Sequence, residues 1–598
     1  MCGISGIYNS FNKDINSRRI IEKIIKLQDK RGPDGSGIWQ SNCNKITFGH
    51  NRLAIIDLSE KARQPFVSED KNLIITFNGE IYNYKEIKKE LIQKNIIFKS
   101  NSDTEVILES YKFWGINFLN KLRGMFSFAI WDNLKKKLIL ARDPFGIKPI
   151  YYLNKNGIYY FASQVKSLLS IENLTFEFSN AGIVSYYLWG NIQEPFTLYK
   201  NIQSLKKGTC LIIDEKGNEE MINYADLKSS ILNSEKLKFN DQNEKLAYLN
   251  SIIQETVNYH QVSDVPRTVL LSSGVDSNII LSSINENNKK NCSALTLDFK
   301  YSGEKNETIL AKESADMNKI PHKISEISST EFISLIENFY KDMDSPTNDG
   351  FNNYLISYLA KKNNSKIIIS GIGGDELFFG YPSFNLIPKI NKNLKYLPKF
   401  NFINSFLKNS IYPFLKKNNL KTKYSGILEY GREINSAFLL VRSLFLPFEI
   451  KELITPDVFE KGYEELDIIN NSNKEIKEIN DIRLSIMYLE IKYYLCSKLL
   501  TDADWVSMSH SVELRTPFVD WFFFNKLIPI IKSDKSFNKL TAINCMEGKL
   551  PKNLSSRKKT GFAIPHNDYL NQLSVTKKFA NPIRDWSIFS YEKYLKNA

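Results

Sequence analysis

The sequence predicts an α+β sandwich over roughly the first 200 residues, then an α/β unit on a doubly wound parallel sheet with a helical C-terminal part. Three observations predict it. Short apolar segments broken by turn signals fill the first part. A polar stretch, 228–244, then reads as a linker. Beyond it, short continuous apolar runs alternate with helix-like sequence, the pattern of buried parallel strands.

In chain order, segments 20–27 and 84–93 carry apolar residues at helical spacing. Leu73-Ile74-Ile75-Thr76-Phe77 is a strand leading into Asn78-Gly79, read as a turn. A helix is expected over 106–111, which Asp103 could cap. Segments 126–131 and 138–141 flank a polar loop beginning at Asp132-Asn133, a hairpin signal. In the second part, Val269-Leu270-Leu271, Ala294-Leu295-Thr296-Leu297 and Lys366-Ile367-Ile368-Ile369 read as buried strands of one sheet. Residues 380–510 read as mostly helical. The expected division is 1–215, a linker over 216–245, and 246–598.

Composition narrows the function classes. A chain of 598 residues with 42% hydrophobic and 24% charged residues can bury large cores. The net charge of +14 is spread over short clusters such as Lys135-Lys136-Lys137, with no long basic run, so no nucleic-acid partner is expected. Cys43, Cys210, Cys292, Cys496 and Cys545 are far apart, which fits a reducing compartment and no disulfide scaffold. The longest apolar run, near 436–448, is short for a bilayer and carries Arg442. No apolar leader precedes Cys2, and a cytoplasmic protein without membrane contact is expected.

Cys2 follows the initiator Met1. Removing Met1 would place a free α-amine beside the thiol, and one residue could then supply nucleophile and general base. An oxyanion formed by thiolate attack on an amide needs fixed donors, which the Asn78 side chain and the Gly79 N–H could provide. Arg52 suits the α-carboxylate of a substrate such as glutamine, and Asp103 suits its ammonium. Singly, Asn78-Gly79 is an ordinary turn and Asp103 an ordinary cap; in this order with Cys2 they favour catalysis.

Further along, Leu271-Ser272-Ser273-Gly274-Val275-Asp276-Ser277 runs from a strand into a small-residue loop and a helix, a cradle for phosphates. It is not a GxxxxGK[ST] loop. Ser370-Gly371-Ile372-Gly373-Gly374-Asp375-Glu376 follows a second strand, and Asp276 and Asp375 together could hold Mg²⁺ with phosphate oxygens. The run from Asp502 to Asp520 and the pair Leu550-Pro551 with Arg557-Lys558-Lys559-Thr560-Gly561-Phe562 give no mechanism by themselves.

With these motifs on view, the first part resembles the glutaminase domain of class II glutamine amidotransferases, which have an N-terminal-nucleophile fold (an αββα sandwich). The SSGVDS loop is similar to the S-G-G-x-D-S loop of ATP pyrophosphatases, with Ser273 in place of a glycine, a residue strained there if φ is positive. The motifs in order resemble asparagine synthetases over nearly the whole chain.

The resemblance implies that Cys2 hydrolyses glutamine, with Arg52, Asn78, Gly79, Glu80 and Asp103 as its pocket. It implies ATP contacts at Leu271, Ser272, Ser273, Gly274, Asp276, Ser277, Leu297, Ser370 and Gly371, Mg²⁺ on Asp276 and Asp375, and Lys559 stabilising charge on the intermediate. Aspartate would become β-aspartyl-AMP, and ammonia would displace AMP to give asparagine. ATP and Mg²⁺ are the expected cofactors, small molecules the partners, and a homodimer the assembly.

Many asparagine synthetases carry Glu where this chain has Ile372. Ile can neither accept a proton nor pair with ammonium. Either Glu376 or Asp349 substitutes, or the acceptor is another carboxylate, such as a sugar acid in surface-polysaccharide synthesis. A non-catalytic relative of the fold is the further alternative, opposed by the intact Cys2, Arg52, Asp103, Asp276, Asp375 and Lys559.

Overall fold

The computed structural model of the chain describes all residues except 1, 12, 299–305, 397–409, 419, 547, 552–553, 555–572, 574–577, 580 and 598. Lys559 and the rest of its motif from Arg557 to Phe562 lie outside the described residues.

The first part is built on twelve strands: β1 Gly3–Asn9, β2 Gly35–Gln40, β3 Ile46–Arg52, β4 Phe66–Val67, β5 Leu73–Ile81, β6 Gly124–Asp132, β7 Lys137–Arg142, β8 Tyr151–Lys155, β9 Ile158–Ala162, β10 Gln203–Ser204, β11 Thr209–Ile213 and β12 Glu219–Asn223. They form two six-stranded sheets, ordered β10-β8-β9-β1-β3-β2 and β12-β11-β7-β6-β5-β4, with antiparallel neighbours throughout. Side chains alternate across each strand. Ile4, Tyr8, Phe48 and Phe161 of one sheet therefore meet Ile74, Trp131, Leu140 and Leu211 of the other in one buried cluster. The helix Ser17–Leu27 covers the outside of the first sheet and the helix Asp103–Trp114 the outside of the second. The result is the expected αββα sandwich.

Two expectations change. Asn78-Gly79 is no turn: β5 runs straight through it, with Asn78 opposite Ser127 and Gly79 opposite Phe126. Glycine is needed because a Cβ on Gly79 would sit 2.1 Å from the Met125 carbonyl oxygen. The stretch 216–245 is also more than a connector. Glu219–Asn223 pairs with β11 as the edge of the second sheet, and helices Leu227–Asn233 and Gln242–Tyr259 follow. Its polar composition is that of an edge strand, largely exposed on both faces.

The second part holds a five-stranded parallel sheet of β13 Arg267–Leu270, β14 Cys292–Asp298, β15 His322–Glu326, β16 Ile367–Ile369 and β17 Glu513–Arg515, ordered β15-β14-β13-β16-β17. Strands are added in one direction from β13 to β15 and in the other from β16. This reversal opens a crevice beyond the strand ends between β13 and β16, where open α/β sheets bind ligands. The SSGVDS loop follows β13 and the SGIGGDE loop follows β16. From Ser383 to Met508 the described residues are mostly helical, as expected. No helix among the described residues is long and apolar enough to cross a membrane.

Candidate active site

Cys2, Arg52, Gly79, Glu80 and Asp103, from distant segments, line one small pocket in the first part. Its open volume is about 30 Å³, room for about one water. The Cys2 N–H donates to Asn78 Oδ1 at 3.0 Å, placing the Asn78 amide against the cysteine. Asn78 Nδ2 is buried with no hydrogen-bond partner among the described residues. A buried donor is costly to leave unpaired, and this one is available for a developing oxyanion. The backbone of β5 supplies the second donor. Phe77 N donates to Gln64 Oε1 (2.7 Å) and Ile81 N to Asp103 Oδ2 (3.1 Å). N–H groups two apart along a strand point the same way, so Gly79 N–H faces the same side, between them.

Burial pushes the Cys2 thiol up, while the N-terminal charge, the Leu53 backbone and Arg52 pull it back. The Arg52 guanidinium is steadied by the carbonyls of Ser59 (3.1 Å) and Asp57 (2.5 Å), and no carboxylate of a described residue lies within 4.0 Å of it. Its charge is thus left for a ligand. Asp103 is buried, and burial raises its carboxyl to about 7, opposed by the hydrogen bonds it accepts. The helix cap is Ser102, whose side chain accepts from Thr104 N, so Asp103 is released from the capping role. Glu80 lines the pocket too, but its Oε2 accepts from Arg515 at 3.1 Å. Burial raises its carboxyl despite Arg515, and nearby Glu513 raises it further.

The second cluster lies in the crevice of the parallel sheet. Ser277 Oγ donates to the carbonyls of Ser272 (3.2 Å) and Gly274 (3.1 Å), and Asn278 Nδ2 donates to the same two (3.0 and 2.7 Å). These bonds hold the loop tight at the start of the helix Val275–Ser283. Ser273 does not have a positive φ, so the expected strain of serine there does not arise. Leu271 and Leu297 are buried at the strand ends beneath the loop. In the second loop Ser370 N donates to the Arg515 carbonyl (2.9 Å), and Ile372 N to Ser370 Oγ (3.4 Å).

The two loops interlock through glycine. A Cβ on Gly374 would lie 2.2 Å from Asp276 Oδ1, and one on Gly371 2.7 Å from Asp276 Cβ. Asp276 and Asp375 converge on a residue that sequence reasoning missed. Lys539 Nζ pairs with Asp276 and, at 3.0 Å, with Asp375. Burial lowers the Lys539 pKa and the two carboxylates more than restore it. Nothing marked this lysine among 80 Lys and Arg residues. Next to Asp375, Glu376 accepts from the Tyr381 hydroxyl at 3.0 Å, and burial and Asp375 raise its carboxyl to about 7. Ile372, between the loops' glycines, is partly buried and apolar.

The run from Asp502 to Asp520 finds its place as the seam between the two parts. Asp504 accepts from Arg31 (2.8 Å) and Lys148 (3.4 Å), and Arg31 Nε donates to the Cys2 carbonyl (3.2 Å). Asp520 pairs with Arg123 at 2.8 Å. All of these side chains are buried.

Fold and site thus define an amidotransferase-type domain joined to a domain with paired phosphate-type loops. Two family models match, one described as a glutamine amidotransferase domain over residues 1–225 and one as asparagine synthase over residues 249–586. The chain is 30% identical to glutamine-hydrolyzing asparagine synthetase 1 of Bacillus subtilis, over 95% of this chain and 88% of that protein. It is 33% identical to putative glutamine-hydrolyzing asparagine synthetase 2 of Methanocaldococcus jannaschii, over 64% of this chain and 76% of that one. It is also 27% identical to amidase chry2 of Gibberella zeae, over 64% and 60% respectively. The chain belongs to the glutamine-hydrolyzing asparagine synthetase family.

Proposed function

We propose that the chain is a glutamine-dependent amide ligase that cleaves ATP to AMP and pyrophosphate. The observation that carries the reading is the convergence of Cys2, Arg52, Gly79 and Asp103 on one pocket beside the orphaned Asn78 Nδ2. Arg52 receives the α-carboxylate of glutamine and Asp103 its ammonium. The Cys2 thiolate bonds to the amide carbon, while Asn78 Nδ2 and Gly79 N–H hold the oxyanion. The C–N bond breaks, the nitrogen takes a proton and leaves as ammonia, and water hydrolyses the thioester to glutamate.

In the second site a carboxylate oxygen of the acceptor attacks the α-phosphate of ATP, and pyrophosphate leaves. Ammonia then bonds to the acyl carbon and AMP departs. Leu271, Ser272, Ser273, Gly274, Ser277, Leu297, Ser370 and Gly371 form the ATP cradle in this reading. Asp276 and Asp375 converge on one cationic group, the Lys539 ammonium, so the donor set fits a divalent cation. Two carboxylates suit Mg²⁺ that takes its other ligands from phosphate and water, and such an ion would neutralise phosphate charge. Lys559 keeps the role the resemblance implies for it, as part of this proposal.

Aspartate is the first acceptor to test, because the relatives' names point to asparagine. Ile372 favours a second reading, in which another carboxylate is amidated. Glu376, with its carboxyl near 7, is the nearby residue suited to exchange a proton. Cys2→Ala tests the division of labour: glutamine-dependent amide formation is lost and ammonia-dependent formation stays. Loss of both in a folded variant would refute it.

A further inference from the structure

The helical part forms a half-open cavity of about 890 Å³. Seven of its described lining residues are Lys or Arg and none is Asp or Glu. The rest of the wall is largely apolar, with Trp189, Leu440 and Phe579 among its residues. This volume lies in the upper part of the ~300–1,000 Å³ range that holds drug-sized ligands. Aspartate alone fills a small fraction of it.

Lys416, Arg442 and Arg584 are paired with Glu452, Glu490 and Glu449, whereas the buried Lys498 and the half-buried Lys423 have no such partner. Lys498 is buried, and its Nζ donates to the neutral Asn348 Oδ1 at 2.5 Å. Lys423 Nζ donates to the carbonyls of Ser443 and Val441. No carboxylate of a described residue lies within 4.0 Å of either ammonium. Burial lowers both, Lys423 to about 7, with Arg584 adding to the effect there and Asp349 and Asp502 opposing it at Lys498. Removing ammonium groups from water without a partner is costly, and an anion entering the cavity would offset that cost.

The cavity also borders the candidate reaction site. The Arg442 guanidinium lines it and lies against the rings of Tyr494 (3.8 Å) and Tyr381 (4.5 Å). Tyr381 in turn bonds Glu376, the neighbour of Asp375. One layer of side chains therefore separates the basic wall from the carboxylate loop. Lys498 lies on Glu490–Leu500, which winds as a π-helix, a rare form frequent at functional sites.

We propose that this cavity receives the distal part of the acceptor substrate, a part with an apolar body and at least one negative charge besides the carboxylate that is amidated. The proposal rests on the ligase reading above and on its second acceptor class.

The probe is 8-anilinonaphthalene-1-sulfonate, an amphipathic anion, followed by its fluorescence with the full-length protein, and beside it the neutral N-phenyl-1-naphthylamine. The wild type is expected to bind the anion saturably at one site and the neutral compound much more weakly. Lys423→Gln/Lys498→Gln is expected to weaken anion binding at least tenfold while glutamate release from glutamine is unchanged. Should that variant fail to fold, Leu386→Trp narrows the cavity from a half-exposed position and is expected to weaken binding similarly. In a pyrophosphate-release assay the probe should raise the KM of the stimulating carboxylate and leave kcat unchanged. Equal binding by a folded variant, or no competition with the carboxylate, would overturn the proposal. Absence of pyrophosphate release with every carboxylate, while probe binding and glutamate release persist, would instead overturn the ligase reading, and the acceptor assignment with it.

Discussion

Arg515 donates through its guanidinium to Glu80 Oε2 at 3.1 Å, across the boundary between the two parts. Its Nε donates to Glu513 Oε1 at 2.6 Å, and its carbonyl accepts from Ser370 N at 2.9 Å. One buried residue therefore touches the wall of the Cys2 pocket and the first residue of the SGIGGDE loop. The backbone carbonyl and the guanidinium of one residue thus join that loop to Glu80.

Arg515→Met should both destabilise the fold and loosen this link. It leaves Glu80 and Glu513 buried without their cation, a loss of about 3–5 kcal/mol for breaking a buried pair. Thermal unfolding reads the stability. The ratio of glutamate formed to pyrophosphate formed reads the coupling and should rise above one. A ratio unchanged from wild type in a folded variant would mean that the residue is only structural.

Asp103 sets a pH dependence. In the proposed reaction its ionised form pairs with the substrate ammonium, and burial raises its carboxyl to about 7. The competent form therefore dominates above about pH 7 and is lost below it. The kcat/KM for glutamine hydrolysis should fall about tenfold per unit of pH on the acid side. Asp103→Asn should raise KM and flatten that limb, and a limb unmoved by the substitution would assign it to another group.

The clearance between the two loops is testable at one atom. The Cβ of Gly374→Ala would fall 2.2 Å from Asp276 Oδ1, so Asp276 must move. A displacement near 1 Å in a positioning group costs on the order of 100-fold in rate. Pyrophosphate formation should drop by that order while glutaminase activity persists. Retention of full synthetic activity would remove Asp276 from the site.

In the proposed site Lys539 and a divalent cation would compete for the same two carboxylates. Lys539→Met should therefore tighten Mg²⁺ binding measured by calorimetry without ATP, because it removes the ammonium that pairs with both Asp276 and Asp375. Unchanged or weaker Mg²⁺ binding would contradict the shared site.

The sequence carried the two sheet classes, through short apolar segments broken by turn signals in one half and continuous apolar strands in the other. It pointed to Cys2, Arg52 and Asp103, which the fold brings to one pocket, because each suits a distinct piece of the proposed substrate. It misled at Asn78-Gly79, where the same dipeptide that favours a turn also serves a strand that must pass close to Met125. The edge strand Glu219–Asn223 was hidden for a related reason, since an exposed edge has no apolar face to betray it. Lys539 and the seam of Arg31, Asp504 and Arg515 were not legible. Their meaning comes from partners far away in sequence, 435 residues in the case of Arg515 and Glu80.

The most direct test of the central claim is product analysis with purified protein, ATP, Mg²⁺ and glutamine labelled with ¹⁵N at the side-chain amide, using aspartate and larger anionic carboxylates in turn. The account predicts that at least one carboxylate stimulates pyrophosphate release and returns as an amide bearing ¹⁵N, with glutamate formed in equal amount. Glutamate formation with no pyrophosphate and no labelled amide from any carboxylate would contradict it.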